Sequence, residues 1–502
     1  MNTPHASPSH RIHRLLPVGM WLGLGLMAVT AIATQSPDAT LVLTDCHIRS
    51  PGYPVSVAAQ CGQLNVPEDR HGNNNGRQIP LNIARIPATA ANPKKDPVLF
   101  LAGGPGQSAV ETFPAMRSAW RHILKERDVI LVDQRGTGKS NPLTCDFDLP
   151  SPILDTGSTD TAAAEAALRQ CLQKLDADPR QYTTANAIED LEDVRRALGI
   201  EQWNLLGVSY GTRKALTYLK YHPQAIRSVV LDSVVPQDEA LGSTIDTNLT
   251  EALKKQFTEC EKQPACQKAF GDINSTLWAL LTHYRNHPAT IRLPDPTTGE
   301  HTDFQLTGDN LALAVRLFAY TPSTMALIPL LLHRAANGQP ENLAAQAITV
   351  EKALKDSIAN GLELSIICAE DAPFYPDPDD DPAPGVLGGR QLATIRHSCS
   401  IWPHADIPAD FKAPVHSDKP VLLLSGELDP ITPPAFAEQA ARTLGHSQHI
   451  VIKGQGHNVF PQGCLPQLVA RFFDAPDKPV EDECLQHFDS PSFFIDLMGP
   501  EE

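Results

Sequence analysis

Gly207-Val208-Ser209-Tyr210-Gly211 is a G-x-S-x-G pentapeptide. This is the form taken by a sharp strand-to-helix turn that holds a serine hydroxyl at the tip of a strand. Such short motifs arise by chance, so the flanks decide. Trp203 to Val208 reads as a strand, and helical spacing resumes after Ser209 and runs to His222-Pro223. Small residues are needed on both sides because the turn is strained and crowded by its neighbours. The backbone N–H of Tyr210 is then available, with the helix N-terminus, as an oxyanion donor. A serine hydroxyl is a weak nucleophile until a base takes its proton and an acid orients the base. In this strand-turn-helix setting both follow the serine in the chain. Asp429, in Gly426-Glu427-Leu428-Asp429, directly follows the apolar run ending at Ser425 and is the acid candidate. His457, in Gly454-Gln455-Gly456-His457, directly follows the run ending at Ile452 and is the base candidate. Glu427 and Asp232 are rival acids.

Ala102-Gly103-Gly104-Pro105-Gly106 ends another apolar run, and its glycines let backbone approach a reacting carbonyl. Gly104, in preference to Gly103, is the second oxyanion donor. Gly136-Thr137-Gly138-Lys139-Ser140 ends like a phosphate-binding loop, but position 133, where that motif needs glycine, is Asp. No nucleotide site follows. No H-E-x-x-H or clustered Cys/His signature occurs, so neither metal nor cofactor is expected.

These residues need a sheet that brings strand ends together. Val98-Leu99-Phe100-Leu101, Val129-Ile130-Leu131-Val132, Val229-Val230-Leu231 and Val421-Leu422-Leu423-Leu424 are apolar without alternation, as strands buried on both faces are. Gln63–Pro67 and Ile79–Ile86 read as an antiparallel hairpin, and the stretch before them as polar. A helix is predicted from about Ala185 to Leu198, stopped by Gly199, and another between Asp429 and His457, about Ala435 to Leu444. Strands alternating with helices predict an α/β fold with a mostly parallel central sheet flanked by helices. From about 236 to 415 strand-type runs largely vanish, and helical stretches such as Leu311–Phe318 and Met325–Leu332 take over. The expected organisation is a core of residues 34–235 and 416–502, with a large helical cap, 236–415, inserted before the strand that carries the acid.

The 502-residue chain is 42% hydrophobic and 20% charged, ample for a large core. Its net charge of −17 argues against nucleic acid as a partner. Residues 1–33 carry Arg11 and Arg14, then an apolar stretch, then Ala31-Ile32-Ala33, the order of a cleaved export signal. The rival is a retained anchor, weakened by Pro17, Gly19, Gly23 and Gly25. The expected product is secreted or periplasmic, with no stable membrane association once the signal is removed. Ten cysteines and no CxxC motif agree with export. Nearest-neighbour pairing, Cys46/Cys61 through Cys464/Cys484, is the simplest connectivity, though sequence alone does not fix it.

With the motifs at 102–106, 133–140, 207–211, 426–429 and 454–457 in hand, the chain resembles the proline iminopeptidase and tripeptidyl aminopeptidase family of α/β-hydrolases, in particular its exported bacterial branch. Cys260-x5-Cys266, Ile367-Cys368-Ala369-Glu370-Asp371 and the Cys464/Cys484 tail extend the likeness over nearly the whole mature chain. One departure is Ala102, where iminopeptidases usually carry His. The resemblance implies a serine exopeptidase acting on peptides with a free N-terminus through Ser209, His457 and Asp429. It also implies a cap carboxylate for the substrate ammonium, with Glu370 and Asp371 as candidates. Arg135 is expected to anchor loops. The same triad would equally serve an ester or lactone hydrolase.

Overall fold

The computed structural model describes residues 41–52, 54–70, 72, 76–145, 161–481 and 483–500. The amino-terminal segment read as an export signal lies outside the described residues. Strands β1 (Thr44–Arg49), β2 (Ser56–Pro67), β3 (Gln78–Ile86), β4 (Val98–Leu101), β5 (Val129–Val132), β6 (Trp203–Val208) and β7 (Ile226–Asp232) come first. After a long helical stretch that includes the hairpin β8 (Ala289–Pro294) and β9 (His301–Leu306), β10 (Val421–Gly426) and β11 (Ser447–Ile452) follow. One nine-stranded sheet has the order β1-β2-β3-β5-β4-β6-β7-β10-β11. From β5 to β11 every pairing is parallel, while β1, β2 and β3 run antiparallel to their neighbours.

Helices α1 (Ala109–Met116), α2 (Thr161–Lys174), α3 (Thr184–Ala197) and α4 (Tyr210–Tyr221) connect the early strands. The strands show why they lie inside. Successive side chains point to opposite faces, so Leu99 and Leu101 of β4 join Ile188, Leu191 and Leu216 of α3 and α4 on one face. Val98 and Phe100 join Phe113 of α1 and Trp120 on the other. Each fully buried Leu or Phe contributes roughly 1.5–3 kcal/mol.

Between β7 and β10 lie α5 (Ile245–Lys262), α6 (Pro264–Phe270), α7 (Ile273–Asn286), α8 (Gly308–Phe318), α9 (Pro322–Met325), α10 (Ile328–Ala336), α11 (Glu341–Ser357), α12 (Asn360–Glu370) and α13 (Gln391–Ile401). Leu253, Phe257, Leu281, Leu311, Val315 and Leu332 pack there into a core of their own. After β10 come α14 (Pro434–Ala441) and, beyond β11, α15 (Leu465–Asp474).

Three local expectations are corrected. The polar stretch before the first hairpin is the edge strand β1, which buries only Ile48 and is paired with β2. The inserted region is not wholly helical: β8 and β9 form an antiparallel pair, Ala289 opposite Leu306, and bury only Leu293 and Leu306. The stretch Met325–Leu332 is broken between α9 and α10. Pro329 has no N–H for a continuous helix, and its ring would strike the carbonyl four residues back.

Five disulfides join Cys46–Cys61, Cys145–Cys171, Cys260–Cys266, Cys368–Cys399 and Cys464–Cys484, leaving no free cysteine. These are nearest neighbours throughout. Among the described residues no helix is long and apolar enough to cross a membrane.

Candidate active site

Ser209 sits between β6 and α4 with φ 55° and ψ −125°, a strained backbone for a residue with a side chain. The flanking glycines explain how the chain tolerates it. A Cβ on Gly207 would overlap the Gly211 carbonyl, and one on Gly211 would overlap the Leu101 carbonyl at the end of β4. From Trp203 to Leu219 every residue is buried except Ser209, which is half-buried. The turn therefore presents one side chain and hides its neighbours.

The Gly103–Gly106 loop lies against it. A Cβ on Gly103 would stand 3.1 Å from the Ser209 Cβ, and Gly104 has φ +106°. The N–H groups of Gly104 and Tyr210 make no hydrogen bond among the described residues. Two backbone donors thus remain available beside the hydroxyl. The loop is also held from the inserted region, because the Ala359 N–H donates to the Gly106 carbonyl at 3.0 Å.

Asp429 and His457 come together. The imidazole Nδ1 lies 2.9 Å from Asp429 Oδ2 and 3.1 Å from Oδ1. The carboxylate also accepts the N–H groups of Ile431 and Thr432, each at 2.9 Å, and the Thr432 hydroxyl at 2.8 Å. Burial pushes the Asp429 carboxyl up, but the His457 charge and hydrogen bond and these N–H groups outweigh it and hold it below its ordinary value. For His457, burial disfavours the cation, and the Asp429 charge and hydrogen bond more than compensate, so its pKa is raised. With Nδ1 turned to the carboxylate, Nε2 is the basic nitrogen left for a substrate-side proton.

Ser209 is tied to this pair through β7. Its N–H donates to the Asp232 carbonyl at 2.9 Å. The Asp232 carboxylate accepts the N–H groups of Val459 at 3.0 Å and Phe460 at 2.7 Å, just past His457. Ser233 Oγ accepts the Asn458 N–H at 2.7 Å. Nucleophile turn and histidine loop therefore hang on the same strand end. Burial pushes the Asp232 carboxyl up to about 6, although the two N–H groups pull against it. Of the rival acids, Asp232 is thus a loop anchor, and Glu427 accepts the Gly454 N–H at 2.9 Å; neither is bonded to the imidazole.

The proposed ammonium ligands are placed elsewhere. Asp371 is fully buried and bonded to Arg213 at 2.8 Å, Lys412 at 2.7 Å and the Leu241 N–H at 2.9 Å. Glu370 is equally buried, and both its oxygens are bonded to Thr184, at 2.6 Å and 2.8 Å. The buried Arg213 and the half-buried Lys412 already neutralise one carboxylate, and Thr184 donates to each oxygen of the other. In this structure both carboxylates are engaged by the chain's own donors.

The phosphate-loop look-alike wraps its own carboxylate. Asp133 accepts from Ser108 Oγ at 2.5 Å, the Val110 N–H at 3.0 Å and Asn82 Nδ2 at 2.7 Å, and a Cβ on Gly138 would collide with it. Arg135 is a loop anchor, bonded to both oxygens of Asp190 and to the carbonyls of Pro67, Glu68 and Gln181.

Two site residues escaped the sequence reading. Thr432 could have been found, because a threonine three residues after an aspartate is a common local hydrogen-bonding pattern. Tyr320 could not. It follows α8, its carbonyl accepts the His457 N–H at 2.7 Å, and its ring meets the imidazole edge-on at 5.1 Å.

A family model described as alpha/beta hydrolase fold matches residues 96–266, and one described as TAP-like protein matches 385–484. The chain is an enzyme of the α/β-hydrolase fold, a serine hydrolase. Within that class its relatives include proteins named tripeptidyl aminopeptidase and proline iminopeptidase. It is 24% identical to the putative hydrolase YuaR of Escherichia coli over 84% of this chain and 87% of that one. It is 34% identical to the tripeptidyl aminopeptidase of Streptomyces lividans over 35% of each chain. It is 28% identical to the serine protease Hip1 of Mycobacterium tuberculosis over 44% of this chain and 45% of that one. The match thus spans less than half the length of these last two relatives.

Proposed function

We propose that the protein is an exported serine exopeptidase that releases N-terminal residues or short peptides through an acyl-enzyme. Ser209 Oγ attacks the scissile carbonyl while His457 Nε2 takes its proton; the N–H groups of Gly104 and Tyr210 hold the oxyanion. The imidazolium, stabilised by Asp429, then gives the proton to the leaving amine, and water repeats the cycle on the ester. The observation that carries this reading is the His457–Asp429 pair, its carboxylate buried, anchored through Asp232 to the same strand end as the strained Ser209 turn. Residues 236–415 act as the cap: Tyr320 against His457 and Ala359 on the Gly106 carbonyl bring it to the edge of the site. A cap in that position favours chain ends over chain middles. Five disulfides support export.

Digestion of a peptide library, read by mass spectrometry, tests the reading. The wild type is expected to shorten peptides from the N-terminus and to spare N-acetylated copies. Ser209→Ala is expected to lose about 10⁶-fold in kcat; near-normal cleavage by that variant would refute the triad. Turnover of short acyl esters with none of prolyl- or tripeptidyl-anilides would make the protein an ester hydrolase instead.

A further inference from the structure

Tyr210 supplies an N–H beside the nucleophile, and its side chain leads away from the site into the fold. Its hydroxyl lies 2.6 Å from Thr184 Oγ1 and accepts from Gln134 Nε2 at 3.3 Å. Thr184 opens α3, and its hydroxyl donates to Glu370 Oε2 at 2.8 Å, while its N–H donates to Oε1 at 2.6 Å. A threonine hydroxyl has one proton to give. With Glu370 ionised that proton goes to the carboxylate, and the Tyr210 hydroxyl then donates to Thr184. The chain of bonds therefore runs one way, from Tyr210 through Thr184 to Glu370. All three residues have no exposed surface. Burial and the Asp371 charge push the Glu370 carboxyl up to about 7, while the two Thr184 bonds and the Arg213 charge favour the carboxylate.

The three members come from different parts of the molecule. Tyr210 begins the nucleophile helix α4, Thr184 begins α3, and Glu370 ends α12. The other end of α12 adjoins Ala359, which holds the Gly106 carbonyl of the opposite oxyanion loop. One inserted helix thus reaches both halves of the oxyanion site, by its start directly and by its end through two side chains.

We propose that Glu370 is a positioning residue: through Thr184 and the Tyr210 hydroxyl it fixes the Tyr210 peptide, so that the oxyanion donors are aligned only when α12 is docked. The inference rests on the serine-hydrolase reading and deepens it. An oxyanion donor works by being held in place before charge develops, and small misplacements at a reacting centre are expensive in rate.

The test uses Glu370→Gln and Tyr210→Phe in the full chain, each assayed on a tripeptidyl anilide with a free N-terminus and on a short acyl ester of p-nitrophenol. Loss of positioning is expected to lower kcat by about tenfold or more on both substrates, with KM held within about twofold. A rise in KM on the anilide alone, with ester kcat unchanged, would make Glu370 an amine ligand and overturn the proposal. Unchanged kcat on both substrates would overturn it too. Should Glu370→Gln fail to fold, Tyr210→Phe, which lacks a single hydroxyl, decides by the same criteria. Ser209→Ala run alongside separates the two claims: its full loss of turnover beside a normal Glu370→Gln sinks only the positioning role.

Discussion

His457 can serve as a base only while Nε2 is unprotonated, and its raised pKa sets where that begins. Activity is therefore expected to rise with pH through an acid limb that lies above the ordinary histidine value. Asp429 is the cause, and replacing it separates its two effects. In Asp429→Asn the charge that favours the imidazolium is gone, so the acid limb should move to lower pH. The amide also presents an N–H₂ to Nδ1, which favours the tautomer with its proton on Nε2, where the serine needs an acceptor. The expected cost is about 10⁴-fold in kcat. A pH–rate profile of kcat/KM for both proteins checks this: an unmoved limb would mean that another group sets it.

At the scale of elements, the nucleophile turn depends on how closely α4 approaches β4. Gly211 lies against the Leu101 carbonyl with no room for a methyl group. Gly211→Ala must push the helix off the strand, at a cost of about 1–3 kcal/mol, and carry the Tyr210 N–H with it. Urea unfolding should show the lower stability, and a fluorophosphonate should label Ser209 more slowly; labelling at the wild-type rate would show that the turn does not need the close approach. This turn was legible in the sequence because strand, G-x-S-x-G and helix are contiguous and each constrains the next. The parallel strands were legible for a related reason: burial on both faces leaves uninterrupted runs such as Val129–Val132. The strands that escaped, β1, β8 and β9, bury one residue each and so leave no run to read. Asp429 follows such a run, β10, whereas His457 follows the edge strand β11, whose apolar run His449–Ile452 is read from sequence although only Ile452 is buried. Tyr320 could not be placed, since its contact with His457 depends on how α8 sits above the sheet. Glu370 and Asp371 were assigned by resemblance, and the partners that occupy them, Thr184, Arg213 and Lys412, are distant in the chain.

For the molecule as a whole, the inserted region is fastened to the sheet by a buried cluster of charge. Arg213, one turn beyond Ser209 on α4, meets Asp371 at the end of α12, and Lys412 reaches the same carboxylate. Lys412 also donates to the Glu239 carbonyl at 2.6 Å, so the cluster gathers the chain leaving β7 and the chain returning to β10. Burial and the Arg213 charge pull the Lys412 ammonium pKa down, and Asp371 opposes them. Asp371→Asn would leave the buried Arg213 and the half-buried Lys412 without the carboxylate that bonds both. Removing one partner of a buried pair costs about 3–5 kcal/mol, because the remaining charge has lost its compensation. The urea midpoint should fall accordingly, and it should recover in Asp371→Asn with Lys412→Met, where one stranded charge is also removed. If Asp371 bound the substrate ammonium instead, the single variant would keep its midpoint and lose affinity for peptides with a free N-terminus. Measuring both the midpoint and KM on the anilide therefore distinguishes a fastening that holds the inserted region in place from a group that meets the substrate.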